Sequence, residues 1–199
     1  MIPEIGIVVR PLAKSISKVE LDRLAQVQKA GITTFWISLA IGVDLYTYKA
    51  KKADAYYILI VSDQDLVGYL LLTKAKVDSG YGFLAGWTVQ HTYLVPSMQK
   101  IGILRRIYDL ILTKGRLIAA STQTPTGAAM WLKRIKTDSR NVYLLFRGLG
   151  DLKTLTVVNS HNVDALKASI WDNDHNTSLV CTPKADSKAR KIIRKYAEK

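Results

Sequence analysis

Between Leu94 and Leu104 the chain reads Leu-Val-Pro-Ser-Met-Gln-Lys-Ile-Gly-Ile-Leu. A run of strand formers ends at Val95, Pro96 closes it, and an amphipathic helix begins near Gly102. The first N–H groups of a helix have no partner inside the helix. With the helix dipole they make an anion site suited to a pyrophosphate, and a glycine lets a phosphate come close to the main chain. Arg105 and Arg106 fall in the first turn, where the dipole disfavours cations. Two readings are open: a bound polyphosphate offsets that cost, or both side chains are simply solvated. Other chemistry-bearing residues are sparse. Cys181 stands alone, which excludes a disulfide within the chain and reads as a buried, inert thiol rather than a nucleophile. His91, His161 and His175 are far apart, and no CxxC or Cys/His cluster offers a metal site.

The elements around this segment follow from pattern. Residues 5–9 read as a first strand before Pro11, and 18–30 as a helix stopped by Gly31. Residues 33–48 fit either period, and their length favours a second helix. Residues 56–61 and 66–73 read as a hairpin about Ser62-Asp63-Gln64-Asp65, and 87–95 as a third strand. From Gly102 to Thr113 the period changes to 3.6 residues, with Ile103, Leu104, Ile107, Leu110 and Ile111 on one face and Lys114-Gly115 as the stop. Residues 117–120 form a short apolar strand, so the strands at 87–95 and 116–121 should be parallel neighbours in a βαβ unit. Pro125 opens a further helix to about Lys136, residues 141–147 and 152–158 form a closing hairpin, and 162–171 a short helix. The fold class is α/β, a mixed sheet with flanking helices.

The segment resembles the acyl-CoA-binding motif of the GNAT superfamily of N-acyltransferases, Arg/Gln-x-x-Gly-x-Gly/Ala after a strand and a proline. Here it stands as Gln99-x-x-Gly102-x-Leu104, with two anchors matched and a leucine at the third, where it would crowd a phosphate. The resemblance covers residues 1–158 and is specific over 86–136. It implies a GNAT-like sheet with splayed central strands, a domain at 1–158, an extension at 159–183 and a basic tail at 184–199. It also implies acetyl-CoA or another acyl-CoA as cofactor. The backbone of Tyr93, Leu94 and Val95 would pair with the pantetheine arm, with an N–H near Leu94 as oxyanion donor. The N–H groups of Gln99, Lys100, Ile101, Gly102, Ile103 and Leu104, with Arg105 beside them, would hold the pyrophosphate.

For catalysis, many family members keep a glutamate three residues before the position of Leu94. His91 stands there, and a neutral imidazole is a suitable general base. The competing reading is a packed strand residue in phase with Trp87, Val89 and Tyr93. The family's acid for the leaving thiolate is a tyrosine in a pattern matched here by Thr124-x-x-Gly127-x-x-Met130-Trp131. Indole N–H has no useful acidity, so Trp131 is packing and the proton would come from Tyr93, Ser121 or solvent. The run from Ser121 to Gly127 is similar to a phage-encoded subgroup, some of whose relatives modify DNA bases. That keeps two alternatives open: modification of nucleic acid, and a degenerate fold used as a binding module.

Bulk properties bound these readings. The chain has 199 residues, enough for one well-buried core, and a formal charge of +13, which suits a polyanionic partner: nucleic acid, an acidic protein or a phosphorylated cofactor. The last sixteen residues hold seven Lys/Arg against two acids, +5, with Ile192, Ile193 and Tyr196 as a weak apolar face. The start, Met-Ile-Pro-Glu-Ile, does not read as a signal peptide, and the apolar stretch 34–43 is too short to span a bilayer. The expectation is a cytoplasmic protein (host cytoplasm if phage-encoded) with no membrane partner and an amine acceptor.

Overall fold

The computed structural model describes residues 8–9, 14–39, 42–50, 55–120, 122–123, 125–148, 152–171 and 177–198. Within them the chain is mixed α/β, with a nine-stranded mixed sheet and five α-helices. In chain order these are β1 (Val8–Val9), α1 (Lys14–Lys29), β2 (Thr34–Leu39), β3 (Val43–Lys49), β4 (Ala55–Ser62), β5 (Asp65–Asp78), β6 (Phe83–Leu94), α2 (Ile103–Lys114), β7 (Leu117–Ile118), β8 (Thr122–Gln123), α3 (Pro125–Thr137), β9 (Asn141–Arg147), β10 (Thr154–Val158), α4 (Val163–Trp171), β11 (Thr177–Pro183) and α5 (Ser187–Ala197). The large sheet runs β10-β9-β11-β7-β6-β5-β4-β3-β2, and β1 pairs with β8 in a separate parallel ribbon. The chain forms two compact units, one of residues 1–11, 75–88 and 109–199, the other of 12–74 and 89–108.

In the second unit, β2 to β5 form an antiparallel meander. The single helix expected over 33–48 is instead the β2–β3 hairpin. Val43 and Leu45 are fully buried while Asp44 between them is not, a period of two that the β-branched and aromatic side chains favour. Gly42, at φ +71°, supplies the left-handed residue before β3. The β4–β5 turn is as expected, with Asp63 and Gln64 both at positive φ as a two-residue hairpin turn requires. Leu24 of α1 packs on Tyr57, Leu59 and Tyr69 to make this unit's core.

In the first unit, β6 and β7 are parallel, as the strand–helix–strand pattern implied, with Trp87 opposite Leu117 and Thr88 opposite Ile118. The hairpin β9–β10 also forms. Residues 159–183 were expected to lie beyond the sheet. They supply β11, which runs antiparallel to both β7 and β9 and so sits between them. Leu179, Val180 and Cys181 are wholly buried, the signature of a strand covered on both faces. The expected basic tail is α5, whose Ala189 and Ile192 join Val77, Leu84, Leu144 and Phe146 in the core. Asp186 caps it, accepting the N–H groups of Lys188 and Ala189 and both Nε and Nη2 of Arg116.

Candidate functional site

All of the segment from Val89 to Tyr108 belongs to the second unit. Pro96–Met98 forms a single 3-10 turn, Lys100 and Gly102 follow at φ +65° and +84°, and α2 starts at Ile103. A side chain added at Gly102 would meet nothing within 4 Å, so its backbone angle, not space, demands glycine, and its main chain faces an open approach. The side chain of Gln99 donates to the carbonyl of Leu94 at 2.9 Å, tying the turn to the strand end. Its backbone N–H is donated to Pro96 O, so of the six amides expected to hold a pyrophosphate this one is already engaged. The first helical bond runs from Arg106 N–H to Gly102 O. Among the described residues, the N–H groups of Lys100 through Arg105 therefore have no backbone acceptor outside the helix, and they stand at the positive end of the α2 dipole. Arg105 and Arg106 are exposed, Ile103 is buried and Leu104 is half-buried. No acidic side chain lies in this first turn. The arrangement can bind an anion of phosphate size.

The strand before the turn is shaped by β5. Ile60 pairs with Gly68 and Val61 with Leu66, which leaves Val67 as an extra, bulged residue. Its carbonyl accepts the N–H of Val95 at 2.9 Å. A side chain at Gly68 would stand 2.6 Å from the carbonyl oxygen of Tyr93, so only glycine permits the close approach of β5 to β6 here. Because the N–H groups of successive strand residues point to opposite edges, that of Leu94 is turned away from β5. The pairing of β6 with β7 covers only Trp87 and Thr88, and β6 continues six residues further, to Leu94.

The expected catalytic residues fall out as follows. His91 is exposed rather than packed. Tyr93 is half-buried, its ring stacked on Tyr69 at 6.2 Å between centroids, the end of a row that runs Tyr48, Tyr57, Tyr69, Tyr93 across four strands. Ser121 and Thr124 lie outside the described residues. Trp131 is buried edge-on against Tyr143, as packing. Cys181 is buried, and burial pushes its thiol up to about 12, out of reach as a nucleophile.

One cluster escaped sequence reasoning. The Tyr57 hydroxyl donates to Glu20 Oε1 at 2.7 Å, and Arg23 grips the same carboxylate with two nitrogens. The hydrogen bond from Arg23 holds Glu20 below its ordinary range against the opposing effect of burial; Tyr57 and the charges of Arg23 and His91 add to the lowering. Burial, then the bond to Glu20, raises Tyr57 to about 12, so it stays a donor. Glu20 and Arg23 at i, i+3 on α1 were legible as a helical pair, but nothing in the chain told that a tyrosine 37 residues on would join them.

The comparisons with known proteins give no match to a family model and none to a curated protein. The chemistry of this chain thus rests on its own residues. Among the described residues no group of His, Cys, Asp and Glu could hold a metal ion, and no helix is long and apolar enough to cross a membrane.

Proposed function

We propose that this chain transfers an acyl group from acyl-CoA to a primary amine, as an N-acyltransferase similar to the GNAT superfamily, in the cytoplasm. The observation that carries the reading is the run of amides from Lys100 to Arg105 at the head of α2 that have no backbone acceptor among the described residues, with Gly102 left-handed and without a side chain to cover the main chain. Lys100, Arg105 and Arg106 add positive charge around it. In this reading the amides grip the cofactor's pyrophosphate, the free edge of β6 around Leu94 pairs with the pantetheine arm (Val95, expected to take part, has its N–H on Val67 O and its carbonyl on Met98 N–H), and Leu94 N–H stabilises the oxyanion as the amine attacks the thioester. The attacking nitrogen loses its proton to His91, exposed three residues before Leu94 on the same strand. The thiolate takes a proton from solvent or from Tyr93.

Titration calorimetry with acetyl-CoA tests the reading. Saturable binding is expected, and Gly102→Asp should abolish it by setting a carboxylate against phosphate. The absence of heat at millimolar acetyl-CoA overturns the proposal, and unchanged affinity in a folded Gly102→Asp protein removes the phosphate from this turn.

A further inference from the structure

Some cations of this protein are tied to carboxylates, and among the unpaired ones a group stands together on one helix. Arg116, Arg134, Arg140 and Lys153 each meet a carboxylate within 3 Å. Lys188, Arg190, Lys191, Arg194 and Lys195 form no ion pair among the described residues, and all five are exposed on one helix, α5. The residues of α5 from Ser187 to Ala197 include no acid. At about 100° per residue, Ala189, Ile192, Ile193 and Tyr196 fall on one arc and the five cations take the opposite side, where Arg190 also donates to Ala185 O and Lys195 at the flank lies 5.4 Å from the centre of the Tyr81 ring. The inner arc is fixed: Ala189 and Ile192 are buried, the Tyr196 hydroxyl donates to Ser79 O at 2.6 Å, and its ring packs edge-on against Tyr81. The helix is therefore anchored, and its charge is held in a defined pattern instead of being spread over a solvated tail.

We propose that α5 is a docking face for duplex DNA, binding the phosphate backbone without regard to sequence. Each alternative partner lacks what it would require. Insertion into an anionic membrane needs apolar residues beside the cations, and those of α5 face the core. A protein partner is gripped by Trp, Tyr or Arg anchors set in desolvated pockets, and the outer arc offers no aromatic and only exposed arginines. Single strands are held by stacking on aromatics, and the only aromatic on α5 is turned inward. The wide major groove of B-DNA lets the exposed side of a helix lie between two rows of phosphates, whereas the deep, narrow major groove of duplex RNA does not. A row of cations meets a row of phosphates, and such contacts carry no sequence information.

The test is fluorescence anisotropy of a random-sequence DNA duplex with the full chain, without acyl-CoA, over a series of salt concentrations. Five phosphate contacts predict a roughly five-hundredfold fall in affinity between about 50 and 200 mM salt. With Lys188→Gln, Lys191→Gln and Lys195→Gln combined, two contacts remain and the fall over the same range should shrink to about twelvefold. Three control changes, Lys29→Gln, Lys49→Gln and Lys133→Gln, should leave the wild-type slope. If the triple variant loses its circular-dichroism signal, the single Lys191→Gln protein should still lower the slope by about 0.9. An unchanged slope in the α5 variants overturns the proposal, as does tighter binding to phosphatidylserine vesicles or polyglutamate than to the duplex. Acyl-CoA binding is read in a separate titration, so failure of one proposal leaves the other standing.

Discussion

His91 and Glu20 show how one position is read differently once its surroundings are known. From spacing, His91 was either a base or a packed strand residue. Its exposure removes the second reading, and its charge is felt by Glu20, which Arg23 and Tyr57 already hold. As the base, its loss should be specific: His91→Ala is expected to lower kcat by at least about a hundredfold while acetyl-CoA affinity is kept. Steady-state kinetics alongside calorimetry checks this, and unaltered turnover would leave His91 a solvated strand residue with no part in the chemistry. Gly68 makes a different demand. Its hydrogen stands where a methyl would meet Tyr93 O at 2.6 Å, so Gly68→Ala must push β5 away from β6. The expected cost is about 1–3 kcal/mol, read from urea melts. No neighbour of Gly68 in the sequence accounts for a glycine at this place. The reason for it is a backbone atom 25 residues later.

At the scale of elements, α2, α3 and the start of β9 are joined through carboxylates. Arg134 bridges Asp109 at 2.6 Å and Asp138 at 3.5 Å, Arg140 reaches both, and Asn141 and Tyr143 also donate to Asp138. Burial works to raise both carboxyls, and the hydrogen bonds and cations outweigh it, so both are held below their ordinary value. A carboxyl lowered in the folded state stabilises above its unfolded pKa, and that contribution disappears as pH falls through the folded one. Urea midpoints should thus be flat from pH 7 to about 5 and decline below about 4. Arg134→Met should lower the midpoint at neutral pH, because two partly buried carboxylates lose their main cation. It should also flatten the acid decline, since those carboxyls would then titrate nearer their unfolded value. A variant that keeps both the wild-type midpoint and its acid slope would show the network to be idle.

For the whole molecule the informative quantity is where the +13 resides. Some cations are consumed in joining elements, as with Arg116 on Asp186 at the head of α5. Others gather at two places with distinct geometry: a bent turn with bare amides around Gly102, and a straight helix side along α5. The first fits a compact diphosphate and the second a line of phosphates, so net charge alone could not tell one polyanion from two. The salt series and the acetyl-CoA titration separate them, because a cofactor held by main-chain amides and dipole loses far less affinity with salt than a duplex held by five side chains.

The sequence by itself determined whatever is local. The β4–β5 hairpin, the turn at Pro96, the helices α2 and α3 and the parallel β6–β7 pair all follow from period, proline, glycine and short connections, where each residue's partners lie within a few positions. The candidate anion site was legible for the same reason, since it is built from consecutive amides. Only the tertiary structure decided the rest. Residues 34–48 carry aromatic and β-branched groups that fit two periods, and the choice of a hairpin came from pairing with β4. Thr177 to Pro183 is a short run whose ladders are with β7 and β9, up to 64 residues away, and α5 is helical with a buried side because β5 and β9 offer it a surface. Burial is a property of partners, and where the partners are distant in sequence no local pattern encodes them.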